Sequence, residues 1–230
     1  FYIVVNNSSK IEVVEAADFK KKATITGFTS PRYFMPVSTS KAYVTDIYSN
    51  KVFVLNLDQN IITGTIPCIG WTETLCLSNS TPVVLNLKSK SLYLLDAVND
   101  KIADSIVLPD LPASMAMDAI DKDMVWVLTK GDSTKSISNI LISIKVSTRQ
   151  ILNSLSLNTY TSHELRIDEK TNTKYWIDNG IVKKEGANSP VKIINGGAIL
   201  FYHFNVNNGT IYITDAIDYI QKSNIYIYDS

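Results

Sequence analysis

The sequence predicts an all-β chain of four-stranded antiparallel sheets, and three observations carry that prediction. A pair of alternating strands joined at a Ser, Asn or Asp turn recurs about every 40 residues. Apolar residues repeat with period two rather than 3.6. Turn-forming Asn, Ser, Asp, Gly and Pro punctuate the segments. Short strands on that period, without helices, are the pattern of a β-propeller with one sheet, or blade, per repeat.

The strands of a blade are labelled A, innermost, to D, outermost. The first B–C pair is Tyr2-Ile3-Val4-Val5-Asn6 with Lys10-Ile11-Glu12-Val13-Val14, one residue out of step with the others. Tyr43-Val44-Thr45-Asp46 with Val52-Phe53-Val54-Leu55 is the second, and Val83-Val84-Leu85-Asn86 with Leu92-Tyr93-Leu94-Leu95 the third. The fourth joins Met124–Leu128 to Ile140–Ile144, the fifth Lys174–Asp178 to Gly180–Lys183, and the sixth Thr210–Asp215 to Asn224–Tyr228. Polar D strands follow, as in Ile61-Ile62-Thr63-Gly64-Thr65-Ile66 and Gln150–Leu157. The A strands are Tyr33–Val37, Thr74–Leu77, Ser114–Met117, Glu164–Ile167 and Ala198–Phe201. The chain therefore opens on a B strand and closes on a C strand. The expectation is a single propeller domain over residues 1–230, incomplete at both ends, with five to six blades of a longer seven-bladed protein.

Composition narrows the function. With 22 basic against 22 acidic residues, the net charge of zero argues against nucleic acid as a partner. Apolar residues make up 45% of the chain, enough for a core, and no run approaches the roughly 18 consecutive apolar residues of a membrane span. Cys68 and Cys76 fit neither a redox nor a metal spacing and read as free thiols. Asn6-Asn7-Ser8, Asn79-Ser80-Thr81 and Asn208-Gly209-Thr210 match the glycosylation acceptor pattern, but they fall at predicted turns, where Asn and Ser belong for conformational reasons.

Lys41-Ala42-Tyr43-Val44-Thr45-Asp46 resembles the Tyr-Val-Thr-Asn repeat of surface-layer-type propellers. Val5–Val14, Ser30-Pro31-Arg32-Tyr33-Phe34 and Gly70-Trp71-Thr72-Glu73 look like the YncE-like surface propellers of Bacteroidetes. The resemblance implies a cell-surface or periplasmic protein, lipid-anchored at the outer membrane. It also implies a small-molecule ligand, with cobalamin as the candidate, and a TonB-dependent outer-membrane transporter as partner. A monomer is expected.

The residues themselves favour binding over catalysis. Only two histidines occur, His163 just before an A strand and His203 within or just after another, and each reads as a lone packing or hydrogen-bonding group. No Ser-His-Asp order, phosphate loop or HExxH motif appears, so neither a catalytic residue nor a metal or cofactor is expected. A lactonase-type hydrolase is the weaker alternative, and a glycan-binding, structural or adhesive role another. Asp46, Asp178 and Asp215 share a register at the ends of B strands, where Asp either caps the next turn or meets a ligand. In a propeller the D-to-A crossovers and B-to-C loops share one face. That face collects Arg32, Tyr48, Trp71, Tyr160, His163 and Tyr219, and with Asp46 and Asp215 these form the candidate ligand site. The A-to-B turns on the opposite face, short and polar, read as solvated.

Overall fold

The computed structural model describes residues 1–186, 201–215 and 224–229. These residues form six antiparallel sheets of three or four strands, each an up-and-down meander in chain order, in a propeller-like all-β architecture. The chain divides into two compact units, Phe1–Leu111 and Pro112–Ser230.

The first unit holds three sheets. The first is β1 (Tyr2–Val5), β2 (Lys10–Val14) and β3 (Lys21–Thr26). The second is β4 (Pro31–Pro36), β5 (Lys41–Asp46), β6 (Lys51–Asn56) and β7 (Ile61–Pro67). The third is β8 (Thr72–Ser78), β9 (Thr81–Asn86), β10 (Ser91–Asp96) and β11 (Lys101–Val107). Alternation decides which neighbour each side chain meets. Ala42 and Val44 of β5 pack with Ile11, Val13 and Ile25 of the first sheet. Tyr43, one residue on, turns the other way to meet Leu75, Val84 and Leu95 of the third. A strand buried on both faces reads as an unbroken apolar run, which is why Ala42-Tyr43-Val44 shows little polar alternation. β7 and β11 alternate exposed and half-buried residues, as outer strands should.

The second unit repeats the plan with β12 (Pro112–Met117), β13 (Met124–Thr129), β14 (Ile140–Lys145) and β15 (Gln150–Ser156). Then come β16 (His163–Ile167), β17 (Lys174–Asp178) and β18 (Ile181–Lys184). The last sheet is β19 (Phe201–Asn207), β20 (Thr210–Asp215) and β21 (Ile225–Asp229). Leu128 and Leu141 pack on Leu165 and Trp176, while Tyr175, Ile177 and Val182 pack on Phe204, Val206, Ile211 and Ile213.

Two features depart from the sequence expectations. The A strand expected over Ala198–Phe201 continues to Asn207, with Phe204 and Val206 in the core; residues 198–200 lie outside the described residues. The A-to-B turns of the second unit are not simply solvated. Asp118 and Asp168 are buried, and each holds the next sheet. Asp118 accepts hydrogen bonds from Trp126 Nε1 at 2.8 Å and from Asn172 Nδ2 at 3.0 and 3.1 Å, and Asn172 Oδ1 in turn accepts from the Ala119 N–H at 2.9 Å. Asp168 accepts the Gly209 N–H at 2.6 Å. A third feature explains the composition. Among the described residues seven asparagines, Asn50, Asn60 and Asn79 included, occupy left-handed turn positions that glycine would otherwise take, in a chain with only nine glycines.

Two outcomes follow for stability. Tyr43 is fully buried, and its hydroxyl donates to Asp100 Oδ1 at 2.6 Å beside the Lys41 ammonium. Tyr43→Phe keeps the ring but removes that bond, so urea unfolding should show a loss of about 1.5–3 kcal/mol. At Asp118, burial works to raise the carboxyl, but N–H donors from Asp121, Trp126, Asn172 and Ile120 outweigh it and hold the group below its ordinary value. Asp168 is held low in the same way, burial being outweighed by the backbone N–H groups of Lys170, Gly209 and Thr171. Their contribution is present above the unfolded carboxyl pKa of about 4 and is lost as pH falls through the lower folded values. Acid titration followed by near-ultraviolet circular dichroism should therefore show packing lost below about pH 4. Asp118→Asn, which cannot ionise, should lessen that acid sensitivity.

Candidate functional site

The crossover ends of the second and third sheets gather four of the residues singled out in the sequence. The site begins with backbone anchoring. Asp46, at the end of β5, is fully buried; its Oδ2 accepts the N–H groups of Thr29 and Ser30 at 2.7 and 2.8 Å, and its Oδ1 that of Tyr48 at 3.3 Å. This carboxylate is occupied by turn backbone and offers nothing to a ligand at the surface. Thr72 Oγ1 lies 3.1–3.2 Å from the backbone N–H and carbonyl of Asp46, joining the start of β8 to the end of β5.

Asn86 plays the matching part in the third sheet. Its Oδ1 accepts the N–H groups of Lys88 and Ser89 at 2.9 and 3.0 Å, and its Nδ2 donates to the Ile69 carbonyl. The crossover Ile69-Gly70-Trp71 is thereby fixed. Gly70 has φ +88°, and a Cβ there would lie 2.8 Å from Lys88 Cβ and 2.9 Å from Asn86 Oδ1, so the turn admits only glycine.

On this frame stand the side chains. Trp71 is half-buried; the Lys88 ammonium sits 3.8 Å from a ring centroid, and Tyr48 meets it edge-on at 5.4 Å and 88°. Tyr48 is 60% exposed and presents the free aromatic surface. Arg32 and Glu73 lie at a bulge near the start of β4 and β8, where the A strand carries one residue more than its B-strand partner. Arg32, expected in a crossover, is thus a strand residue. Its Nε and Nη2 both donate to Glu73 Oε1, at 2.8 and 2.6 Å. Glu73 is 6% exposed, and its Oε2 is buried without a hydrogen-bond partner among the described residues.

The second unit holds a separate cluster. His163 is the first residue of β16 rather than a loop residue, and its Nδ1 lies 3.0 Å from the Thr161 carbonyl. Glu164, at the β16 bulge with φ +56°, pairs with Arg166 and lies 3.2 Å from His203 Nδ1. Burial works to raise Glu164, but His203, Arg166 and His163 outweigh it and hold the carboxyl low. The two histidines, read as lone residues, thus flank one carboxylate. Asp178 accepts from Thr161 Oγ1 at 2.7 Å and from Lys183 Nζ at 2.6 Å, again anchoring a crossover. Tyr160 is exposed. Asp215 ends β20, its side chain outside the described residues, and Tyr219 lies wholly outside them. Sequence reasoning passed over Glu73, Lys88, Glu164 and Arg166; no strand pattern marks a bulge, and the bulge is what places Glu73 and Glu164. Both cysteines are free, and burial pushes their thiols up, Cys68 to about 11 and Cys76 to about 12, so neither is a ready nucleophile.

No family model matches the chain, and no curated protein matches it. Solved structures do. One is a chain of Kuenenia stuttgartiensis hydrazine synthase, similar at a TM-score of 0.74 and 14% identity over 97% of this chain and 72% of that one. At that identity the likeness is one of fold.

Gly70→Ala tests the frame. The strained turn and the clash should cost about 1–3 kcal/mol and displace Trp71, read as a red shift of its fluorescence relative to the wild type.

Proposed function

We propose that this chain is the β-propeller of a cell-surface ligand-binding protein, part of a seven-bladed closed ring, and that its ligand is held at the crossover ends of the second and third sheets. One observation carries the reading: the exposed Tyr48 ring, braced edge-on by Trp71, which carries Lys88 on its own ring, next to sheet ends that also hold the Arg32–Glu73 pair. A rigid aromatic surface near a donor and acceptor pair is equipped to hold a flat or ring-shaped molecule by stacking and hydrogen bonding. The backbone beneath is pinned by Asp46, Thr72 and Asn86, so little order has to be imposed on binding. Holding a ligand, rather than turning it over, is what these groups suit.

Cobalamin, to which the sequence resemblance points, meets the requirement with a broad ring edge and many amide side chains, and delivery to an outer-membrane transporter would follow capture. A glycan meets it through stacking of a sugar ring on Tyr48. Calorimetric titration with cyanocobalamin and, separately, with maltotriose tests the reading. One of them should bind at micromolar to millimolar concentration, and Tyr48→Ala should weaken it about five- to thirtyfold, the loss of one aromatic contact. No heat with either ligand, or an unchanged affinity in Tyr48→Ala, would remove the support for this site.

A further inference from the structure

We infer that Glu73 is the ligand-recognition acceptor of this site and that it takes a neutral hydrogen-bond donor, a primary amide or a hydroxyl group; the inference rests on the binding reading above. A buried carboxylate oxygen without a donor is costly, and native structures rarely leave one. Among the described residues Glu73 Oε2 is such an atom: the residue is 6% exposed, and the Arg32 Nε and Nη2 hydrogen bonds go to the other oxygen, Oε1. The oxygen is held there by the β8 bulge, two residues after Trp71 in the pinned crossover. Asp46, the carboxylate that the sequence singles out for a ligand near this crossover, is filled by three backbone N–H groups, so Glu73 supplies the acceptor that Asp46 cannot.

Charge selects the ligand group. The Arg32 guanidinium already neutralises the carboxylate, and the Lys88 ammonium on the Trp71 ring adds a further positive charge at the crossover. An ammonium or metal cation would meet that field unfavourably, whereas a neutral N–H or O–H donor meets none. Of the pair, the Arg32 side chain is the one solvent reaches, 32% exposed against 8% for that of Glu73.

Glu73→Gln tests the inference. The variant keeps the shape and can still accept from Arg32, but it removes the charged acceptor. Calorimetry with cyanocobalamin supplies the amide arm and maltotriose the hydroxyl arm. The expected result is about a tenfold loss of affinity for whichever binds the wild type, with the thermal midpoint kept. Glu73→Asp, which keeps the charge on a shorter stem, serves if the first variant does not fold, and should also weaken binding. Wild-type affinity in Glu73→Gln, with binding still lost in Tyr48→Ala, overturns the role of Glu73 and leaves the binding reading standing. Binding of neither probe to the wild type overturns both.

Discussion

The arrangement depends on a polar side chain at the end of the second strand of a sheet, which ties down the backbone that enters that sheet. Asp46 holds Thr29 and Ser30, Asn86 holds Ile69, and Asp178 holds Thr161 and Ser162. A crossover has no ladder of its own, and its N–H and C=O groups would otherwise be buried unmet. With those groups satisfied, the A strand starts at a fixed height and the apolar faces of successive sheets meet in register. One crossover is held from two sides. Asn139 accepts the Ser162 N–H at 3.1 Å and donates to the Ser162 carbonyl at 3.1 Å, so the fifth sheet is anchored from the fourth as well as from its own Asp178.

Much of this was legible in the sequence because period and polarity act locally. The B strands from Tyr43, Val83, Met124 and Lys174 could be placed from apolar runs ending at a polar residue, and the C strands from the turn that follows. The A strands were harder. A bulge offsets their pairing, so the reach of the last A strand to Phe204 and Val206 was not read from the sequence. In the candidate site, Tyr48 and Trp71 were visible as aromatics in loops, and Asp46 as a strand-end carboxylate. That Asp46 is wholly occupied, whereas Glu73 is half satisfied, depends on which oxygen meets which donor across 41 residues of chain. No local pattern encodes that.

Long and short side chains both join neighbouring sheets. In the first unit Tyr43 and Lys41 reach Asp100 in an outer turn, while the short Asn6 donates to Ser30 Oγ and the Pro31 carbonyl. In the second, Arg166 reaches the Phe204 carbonyl, while Asp118 and Asn172 bridge from turn to turn. Long side chains tolerate small shifts between sheets; short ones fix the spacing.

The A-strand bulges have an evolutionary consequence. A residue in a bulge lies outside the regular pairing, so exchanging it leaves the neighbouring hydrogen bonds in place. Arg32, Glu73, Ala113 and Glu164 all hold such positions, and they span a cation, two anions and a methyl group. Where two bulge residues pair across sheets, as Arg32 and the buried Glu73 do, the positions are coupled: a change of charge in one sheet leaves an unpaired ion in the next unless its partner changes too.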